Sequence, residues 1–309
     1  MFSIVDGHCD TLVKACDRNK KLLKNDLHID FERLKKYNSP LQFFAIWLEK
    51  KHFNNAFNKT LEYISFFENE LNDNSNLVSK VLCFDDILKN KNAGKISALI
   101  SIEGGEAIEG SLEKLNTLYE KGIRAMTLTW NYRNQIADGS GVEEPVGLTD
   151  FGREAINEME RLGMIVDVSH LADKSFWDVC EAAKKPFIAT HSNARAICSA
   201  KRNLTDEQIK AIADRGGVMG LNMYNTFIVD EGYSTSEDVL RHIRHIINVG
   251  GEDVLGLGCD FDGINSMPEG YTGVESLQRL LELISDEFGY KIAEKIAEKN
   301  FMRILKETI

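Results

Sequence analysis

Short apolar runs alternate with longer amphipathic segments along the whole chain, and this alternation restricts the fold more than any other property of the sequence. The runs lack strict two-residue alternation of apolar and polar side chains, as expected of parallel strands that are buried on both faces. We therefore predict eight buried parallel strands. They comprise Phe2–Val5, Leu41–Leu48, Ile96–Ile102, Ala125–Trp130, Met164–Val168, Phe187–Thr190, Val218–Asn222 and Val254–Gly258.

Helices are predicted between these strands, because the intervening segments space their apolar residues close to the helical period of 3.6 residues. The clearest are Leu112–Lys121, Phe151–Leu162, Lys174–Ala183, Asp206–Arg215 and Ser236–Val249. Thr149 and Thr205 are predicted N-caps, and Thr205 with Gln208 fits a capping box. Gly163 falls where a helix should end. Eight strands with intervening helices predict an α/β protein with a (β/α)8 TIM-like barrel.

We predict that residues 1–309 form a single barrel domain. Because such a barrel typically has about 250 residues, we assign the excess to a helical insertion around residues 54–90 and to C-terminal helices at residues 276–309. A doubly wound open sheet is the alternative. It would need a glycine-rich GxGxxG turn after the first strand to bind a nucleotide, and the segment Asp6–Thr11 has no such turn.

Charge and composition argue against several classes of partner. The net charge is −11 at pH 7, so we expect no binding to nucleic acid or to an anionic membrane surface. No apolar run approaches the ~20 residues that span a bilayer, and no basic segment followed by an apolar stretch precedes the first strand. The six cysteines show no CxxC pairing, which favours reduced thiols and a cytoplasmic location.

Five side chains that can bind metal occur where predicted strands end, namely His8, Asp10, Glu103, His170 and His191. The carboxyl ends of barrel strands open onto one face, so these residues can converge there. His8 and Asp10 point to the same side of an extended chain, and the two oxygens of Glu103 can bridge two cations. A lone histidine at a strand end is more often structural. Two carboxylates and three imidazoles together suit two divalent cations that share a ligand, so we predict a metal-dependent hydrolase.

Two further residues are candidates for catalysis and substrate binding. Asp260 ends the eighth predicted strand, where a carboxylate beside the metals could transfer a proton. Asp262 is a weaker candidate for that role and otherwise a turn residue before a glycine. Arg202 lies in the loop after the sixth predicted strand, where a guanidinium could hold a substrate carboxylate or a charged intermediate. An arginine in such a loop is nevertheless expected at the surface.

Seven motifs occur in the order in which they occur in one family of hydrolases. They are Asp6-Gly7-His8-Cys9-Asp10, Glu103-Gly104-Gly105, Gly147-Leu148-Thr149-Asp150-Phe151-Gly152, Leu162–Leu171, Thr190-His191-Ser192-Asn193-Ala194, Lys201-Arg202-Asn203-Leu204 and Gly256–Gly263. On these motifs the chain resembles the membrane (renal) dipeptidase family, metallopeptidase group M19, over essentially its whole length.

The resemblance implies two Zn²⁺ ions per chain in a TIM-like barrel. By the family pattern, one ion would take His8, Asp10 and Glu103. The other would take Glu103, His170 and His191, so that Glu103 is the shared ligand. A hydroxide that bridges the two ions would then be the nucleophile.

The resemblance also implies the reaction, which is hydrolysis of the amide bond of a short peptide with a free C-terminal carboxylate. Asp260 matches the acidic residue that orients the hydroxide and passes its proton to the leaving amine. Arg202 matches the substrate-binding arginine. A homodimer is implied by the family alone.

The chain departs from the family pattern at the end of the fourth predicted strand. The family commonly has a histidine there that contacts the substrate carbonyl, whereas this chain has Trp130 followed by Asn131. An indole N–H can donate a hydrogen bond, but unlike a histidine it cannot ionise. Trp130 or Asn131 would then be a neutral donor to the substrate. Alternatively, the enzyme is an amidohydrolase of N-acyl amino acids, lactams or another small amide. A catalytically weak binding protein on the same scaffold is disfavoured, because all five metal-binding residues and Asp260 are present.

Overall fold

A closed parallel barrel forms the centre of the protein. The computed structural model describes all residues, 1–309. The strands are β1 Ser3–Cys9, β2 Asn38–Trp47, β3 Val78–Lys80, β4 Ile96–Glu103, β5 Ile123–Thr127, β6 Ile165–Asp167, β7 Ile188–Ala189, β8 Val218–Leu221 and β9 Leu255–Leu257. Their order in the sheet is β2-β1-β9-β8-β7-β6-β5-β4-β3, and an additional β2–β4 pairing closes a ring of eight strands. Every ladder is parallel. The predicted (β/α)8 barrel is confirmed, and the open sheet is excluded.

Strand β3 lies outside the closed ring, where it pairs only with the first half of β4. It has three residues, too few for a periodic pattern, and the sequence did not predict it. The segment between β2 and β4 otherwise contains helices. That all 309 residues constitute one domain stays a prediction.

Helices follow the strands and cover the outside of the barrel. The α-helices are α1 Thr11–Asp17, α2 Phe31–Leu34, α3 Ala56–Asp73, α4 Phe84–Asn92, α5 Leu112–Glu120, α6 Asp150–Leu162, α7 Asp173–Ala182, α8 Asp206–Asp214, α9 Asn225–Ile228, α10 Ser236–Gly250, α11 Leu277–Phe288, α12 Tyr290–Glu294 and α13 Asn300–Thr308. Single 3-10 turns lie at Lys50–Asn55, Gly105–Ile108 and Val274–Ser276, and a π-helical turn lies at Lys295–Lys299. No helix has both the length and the apolar character needed to cross a bilayer.

Local capping explains where the central helices begin and end. The Thr149 side chain accepts a hydrogen bond from the backbone N–H of Gly152, and Thr205 and Gln208 form a reciprocal capping box. Gly163 ends α6 in the left-handed conformation with φ of 81°, which glycine adopts without steric cost. These caps were predicted and are confirmed.

Apolar side chains fill the inside of the barrel at the amino ends of its strands. The carboxyl ends of the strands are therefore where a functional site can form. Inward-facing apolar side chains of seven barrel strands form one cluster with Phe301, Ile304 and Leu305 of helix α13. Phe301 fits against Gly7 and Gly256, where an added Cβ would lie 2.7 Å and 2.5 Å from its ring. A larger cluster of 74 buried residues joins the outer face of the barrel to the helices. The C-terminal helix thus plugs the bottom of the barrel.

Candidate active site

The five predicted metal-binding side chains converge at the carboxyl end of the barrel, and all five residues are buried. His8 is the last residue but one of β1, Asp10 follows that strand directly, and Glu103 is the last residue of β4. His170 and His191 follow β6 and β7 by three and two residues. These residues come from the ends of four strands, β1, β4, β6 and β7, and closure of the barrel brings them into one cluster.

Glu103 lies at the centre of this cluster, and its two carboxylate oxygens face different partners. Oε2 lies 3.4 Å from Nε2 of His8, which is itself 3.5 Å from Oδ2 of Asp10. Oε1 lies 2.7 Å from Nε2 of His170 and 3.7 Å from Nε2 of His191. The carboxylate therefore connects two groups of nitrogen and oxygen donors.

The hydrogen bonds of the histidines leave their Nε2 atoms directed at one another. Nδ1 of His170 is 2.9 Å from the side-chain oxygen of Asn131, and Nδ1 of His191 is 2.8 Å from the Thr190 hydroxyl. The two Nε2 atoms are only 2.9 Å apart. Such partners on one ring nitrogen orient the other toward a metal.

The donor set fits a divalent metal. Both ring nitrogens of His8 are buried without a hydrogen-bond partner, although buried polar atoms are rarely left unpaired. Single ligand atoms of His8, Glu103 and His191 all lie within 4.8 Å of one another, as do those of His8, Asp10 and Asp260. Imidazole nitrogens and carboxylate oxygens in close groups of three are typical zinc ligands.

Burial and charge set the protonation of these groups. Burial alone would raise the pKa of Glu103, but the imidazoles of His8 and His170 hold it well below its usual range. Burial lowers the pKa of His170 to about 4 and that of His191 well below its ordinary value, which keeps both rings neutral. Burial and the neighbouring Glu103 raise the pKa of Asp10 to about 6.

Asp260 lies beside this cluster with one oxygen free. Its Oδ2 accepts a hydrogen bond of 2.9 Å from the Asn222 side chain, whereas Oδ1 faces Nε2 of His8 at 4.0 Å. Burial raises the pKa of Asp260 to about 7. The carboxyl group can therefore hold or release a proton near neutral pH, as an acid–base group requires.

Asp262 has a structural environment. Its Oδ2 accepts from the Thr11 hydroxyl at 2.5 Å, and Oδ1 accepts from the backbone N–H of His28 at 3.0 Å. The backbone N–H of Asp262 in turn donates to Nδ1 of His28. These bonds connect the end of β9 to the start of α1 and to the loop before α2. Both oxygens of Asp262 are occupied, so this carboxylate holds the loops in place.

Arg202 is buried, contrary to the expectation of a surface arginine. Its Nη2 donates to the carbonyl oxygen of His191 at 3.1 Å, while Nε is buried without a partner. The guanidinium lies over the Phe227 ring, 5.6 Å from the ring centre. The loop after β7 folds back over the barrel, because Ala194 and Leu204 form a parallel bridge, and it carries Arg202 into the site.

The cluster opens into a cavity of about 460 Å³, which is large enough for a small organic ligand. Arg202, Trp130, Asn131 and Asp260 all line this cavity. Asn131 also accepts a hydrogen bond from the Ser140 hydroxyl in addition to its contact with His170. Asn131 therefore orients His170 in addition to lining the cavity wall.

The backbone is strained at the site. Six non-glycine residues have positive φ, and three of them are His170, Asp260 and Asp262, with φ of 71°, 61° and 69°. Such conformations cost ~1–3 kcal/mol each and persist where the surrounding structure enforces them. Half of the strain of this kind thus falls on the two strand ends that carry His170 and Asp260.

Sequence reasoning missed the residues that hold the site in place. Asp167 accepts hydrogen bonds from the Thr127 and Thr190 hydroxyls at 2.5 Å and from the Ser169 and Thr190 backbone N–H groups. Asn222 positions Asp260 through a hydrogen bond, but the sequence predicted only that a strand ends at this residue. A polar residue that ends an otherwise apolar strand was the available signal for both.

The fold and the donor set are together those of a metal-dependent hydrolase. Residues 1–309 match the model of the membrane dipeptidase family, peptidase family M19. The chain belongs to this family and is therefore a hydrolase of the metallodipeptidase class, as its resemblance to the family predicted.

Individual relatives agree with this assignment. An uncharacterized dipeptidase from Schizosaccharomyces pombe is 34% identical, with 91% of this chain and 73% of that protein covered. The crystal structure of a metallopeptidase from Rhodobacter sphaeroides, liganded with a phosphinate mimic of L-Ala-D-Ala, has 26% identity and a TM-score of 0.92 and covers 100% of this chain and 99% of its own. The crystal structure of the dipeptidase AC, an M19 metallopeptidase, has 27% identity and a TM-score of 0.92, with 99% and 98% covered.

Proposed function

We propose that this protein is a binuclear zinc dipeptidase that hydrolyses short peptides with a free C-terminal carboxylate. The observation that most supports two ions is the orientation of Glu103. One oxygen of its carboxylate faces His8 and the other faces His170 and His191. A carboxylate that divides its oxygens in this way can serve as a ligand shared by two cations.

In this proposal, His8, Asp10 and Glu103 hold one zinc ion, and Glu103, His170 and His191 hold the other. When bound, the pair supplies positive charge that makes water acidic enough to attack as hydroxide at neutral pH and that polarises the substrate carbonyl. The low pKa of Glu103 and the neutral rings of His170 and His191 support this assignment, because ligands must be deprotonated.

Asp260 is the proposed acid–base residue. Its free Oδ1 takes the proton of the attacking water as the new C–O bond forms at the peptide carbonyl carbon. The same oxygen then gives that proton to the amide nitrogen as the C–N bond breaks, so the products are a carboxylic acid and a free amine. Asn222 holds the other oxygen of Asp260 and so keeps Oδ1 directed at the reacting atoms.

Arg202 is the proposed anchor for the substrate carboxylate. A buried guanidinium with an unpaired Nε favours an anionic hydrogen-bond partner, because a buried donor without one is costly. Charge-assisted hydrogen bonds from Arg202 to a terminal carboxylate would supply that partner. The dipeptide mimic bound by the Rhodobacter sphaeroides relative supports a substrate of this size.

The second candidate is an amidohydrolase of N-acyl amino acids, lactams or another small amide. Trp130 favours it, because the indole gives this wall of the cavity a neutral, apolar surface. An N-acyl amino acid would keep the carboxylate that Arg202 needs but would lack a free amine.

A panel of substrates separates the two candidates. Protein loaded with zinc should cleave L,L or L,D dipeptides with a higher kcat/KM than the matched N-acetyl amino acids. The reverse ranking would favour the amidohydrolase. No cleavage of any dipeptide by protein that retains zinc would contradict the main proposal. Homodimerisation and a cytoplasmic location stay predictions.

A further inference from the structure

Two tryptophans form an aromatic wall in the cavity. Trp47 ends β2, and Trp130 follows β5 by three residues. Their ring centres are 5.3 Å apart with the planes tilted by 58°, and both line the cavity. Tyr132 packs edge-on against Trp130 at 5.2 Å and is partly exposed, so it extends the aromatic surface toward the solvent. We call Trp47 and Trp130 the indole pair.

Within the indole pair, Trp47 lies across the barrel from the proposed carboxylate anchor, and Trp130 follows β5, which is two strands away from β7. The closed ring runs β1-β2-β4-β5-β6-β7-β8-β9, so β2 and β7 are four strands apart in either direction. Trp47 therefore lies diametrically opposite the loop after β7, which contributes Arg202. Glu103 ends β4, the strand between β2 and β5, and is the register partner of Trp47, whereas His191 follows β7 on the side of Arg202. A dipeptide with its carboxylate on Arg202 and its amide beside Glu103 would extend its N-terminal residue toward Trp47.

The acidic groups near Trp47 already have hydrogen-bond or ion-pair partners. Asp17 accepts a hydrogen bond of 2.8 Å from the Tyr63 hydroxyl, and Glu49 pairs with Lys51 at 2.7 Å. Arg18 adds a positive charge to the cavity lining. The indole pair is accordingly the larger recognition surface here, and flat apolar side chains pack well against indole rings.

We propose that the indole pair is the subsite for the side chain of the N-terminal residue and that it selects aromatic side chains there. This inference rests on the proposed dipeptidase function and names its substrate class, namely dipeptides with phenylalanine, tyrosine or tryptophan at the first position. Trp47 is the specificity-determining residue to test. Trp130 also packs against His170, with ring centres 6.1 Å apart, so its substitution would disturb the metal-binding residues as well.

The test measures kcat/KM of zinc-loaded protein on Xaa-Ala dipeptides in which Xaa is Phe, Leu, Ala, Lys or Glu. We expect Phe-Ala to exceed Ala-Ala by roughly 10–100-fold, as for a buried aromatic side chain in an apolar pocket. In Trp47→Ala this ratio should fall to about threefold or less, mainly through KM, with the zinc content unchanged. Trp47→Phe keeps an aromatic ring at this wall and should retain most of the preference for Phe-Ala. This variant replaces Trp47→Ala in the test if the alanine variant does not fold.

Trp177→Ala is the matched control, because Trp177 is the third tryptophan of the chain and lies exposed on α7 outside the cavity. It should keep the wild-type ratio. An unchanged ratio in Trp47→Ala would overturn the subsite. So would a preference for Lys-Ala over Phe-Ala that Asp17→Asn removes, because recognition would then depend on charge. In both results dipeptides are still cleaved, whereas failure of the proposed function leaves every member of the panel intact.

Discussion

Among the single residues, Glu103 makes the contacts on which the rest of the candidate site most depends. It is the only carboxylate that contacts the imidazoles of His8, His170 and His191, with one oxygen toward His8 and the other toward His170 and His191. The ring of His8 has no hydrogen-bond partner, so its orientation depends on the nearby carboxylates of Glu103 and Asp10 and on the metal that they would bind together. A change at Glu103 should therefore affect the metal content before it affects any step of the reaction.

We predict that Glu103→Ala removes most of the bound zinc, because one carboxylate is shared by both proposed ions. Metal analysis of protein dialysed against dilute zinc should find well below one equivalent per chain. Glu106→Gln is the matched control. Glu106 is a buried carboxyl group three residues away, and burial raises its pKa, so loss of its charge should leave the zinc content unchanged. A full complement of zinc in Glu103→Ala would contradict the shared-ligand assignment.

We predict that Asp260→Asn keeps zinc but loses about 10²–10⁴-fold in kcat, because the acid–base step is typically worth that much. The amide fills the same space and can still face Asn222, so the effect should be on chemistry. Asn222→Ala frees the carboxylate of Asp260 and removes the bond that Asn222 accepts from the Tyr224 backbone N–H, and it should lose less. Full activity in Asp260→Asn would assign the proton transfer to another group.

Among the elements, the barrel strands could be predicted from the sequence, whereas the residues at which they end could not always be. The eight apolar runs predicted the barrel strands, because parallel strands are buried on both faces. The first predicted run stopped at Val5, whereas β1 continues to Cys9. Asp6 and His8 interrupt the apolar pattern but are fully buried, since His8 belongs to the site and Asp6 accepts hydrogen bonds from the backbone N–H groups of Cys259 and His8.

Loop residues were less predictable than strand ends. The burial of Arg202 depends on the bridge between Ala194 and Leu204, which folds the loop over the barrel. No local pattern in the sequence specifies such a bridge. The convergence of the five proposed metal ligands was predictable because the barrel topology alone brings strand ends together. The residues that hold them, such as Asp167, depend on contacts between strands distant in sequence.

Glycines in β8 and beyond β9 let these strands approach the strand end that carries His191. A Cβ on Gly258 would lie 1.8 Å from the carbonyl oxygen of Thr190, and one on Gly220 would lie 2.0 Å from the same atom. We predict that Gly258→Ala lowers the free energy of unfolding by about 3 kcal/mol, because backbone atoms must move to make room.

Urea denaturation measures this loss. Gly232→Ala is the control, because a Cβ there meets nothing within 4 Å and the cost is limited to its positive φ of 79°. That cost should be about 1 kcal/mol. Equal losses in the two variants would show that the approach of the strands is not tight.

For the whole molecule, stability should depend on a histidine away from the metal site. His242 of α10 is fully buried between α9 and the loop after β7. Its Nδ1 accepts from the backbone N–H of Ala194 at 3.2 Å, and its Nε2–H donates to the carbonyl oxygen of Ile228 at 2.9 Å. Protonation of Nδ1 would set two N–H groups against each other in a buried place. Burial accordingly lowers the pKa of His242 from 6.5 to about 4.

This shift predicts the direction of the pH dependence. The unfolded chain takes up a proton as the pH falls through 6.5, whereas the folded chain keeps His242 neutral down to about pH 4. The unfolded state therefore binds more protons within this window, and stability is lost as the pH falls. From about pH 7 to about pH 5, His242 should account for a loss of roughly 2 kcal/mol in the free energy of unfolding.

Urea denaturation of the wild type and of His242→Asn at the two pH values isolates this contribution. The variant should be less stable at pH 7, because it loses at least one of the two hydrogen bonds. Its further loss on acidification should be smaller than that of the wild type by about 2 kcal/mol. His52→Asn, at a turn where the histidine makes no side-chain hydrogen bond, should keep the wild-type pH dependence. An identical acid loss in wild type and His242→Asn would mean that His242 is protonated in the folded protein, so α10 would have to tolerate a charge between α9 and the loop that carries Arg202.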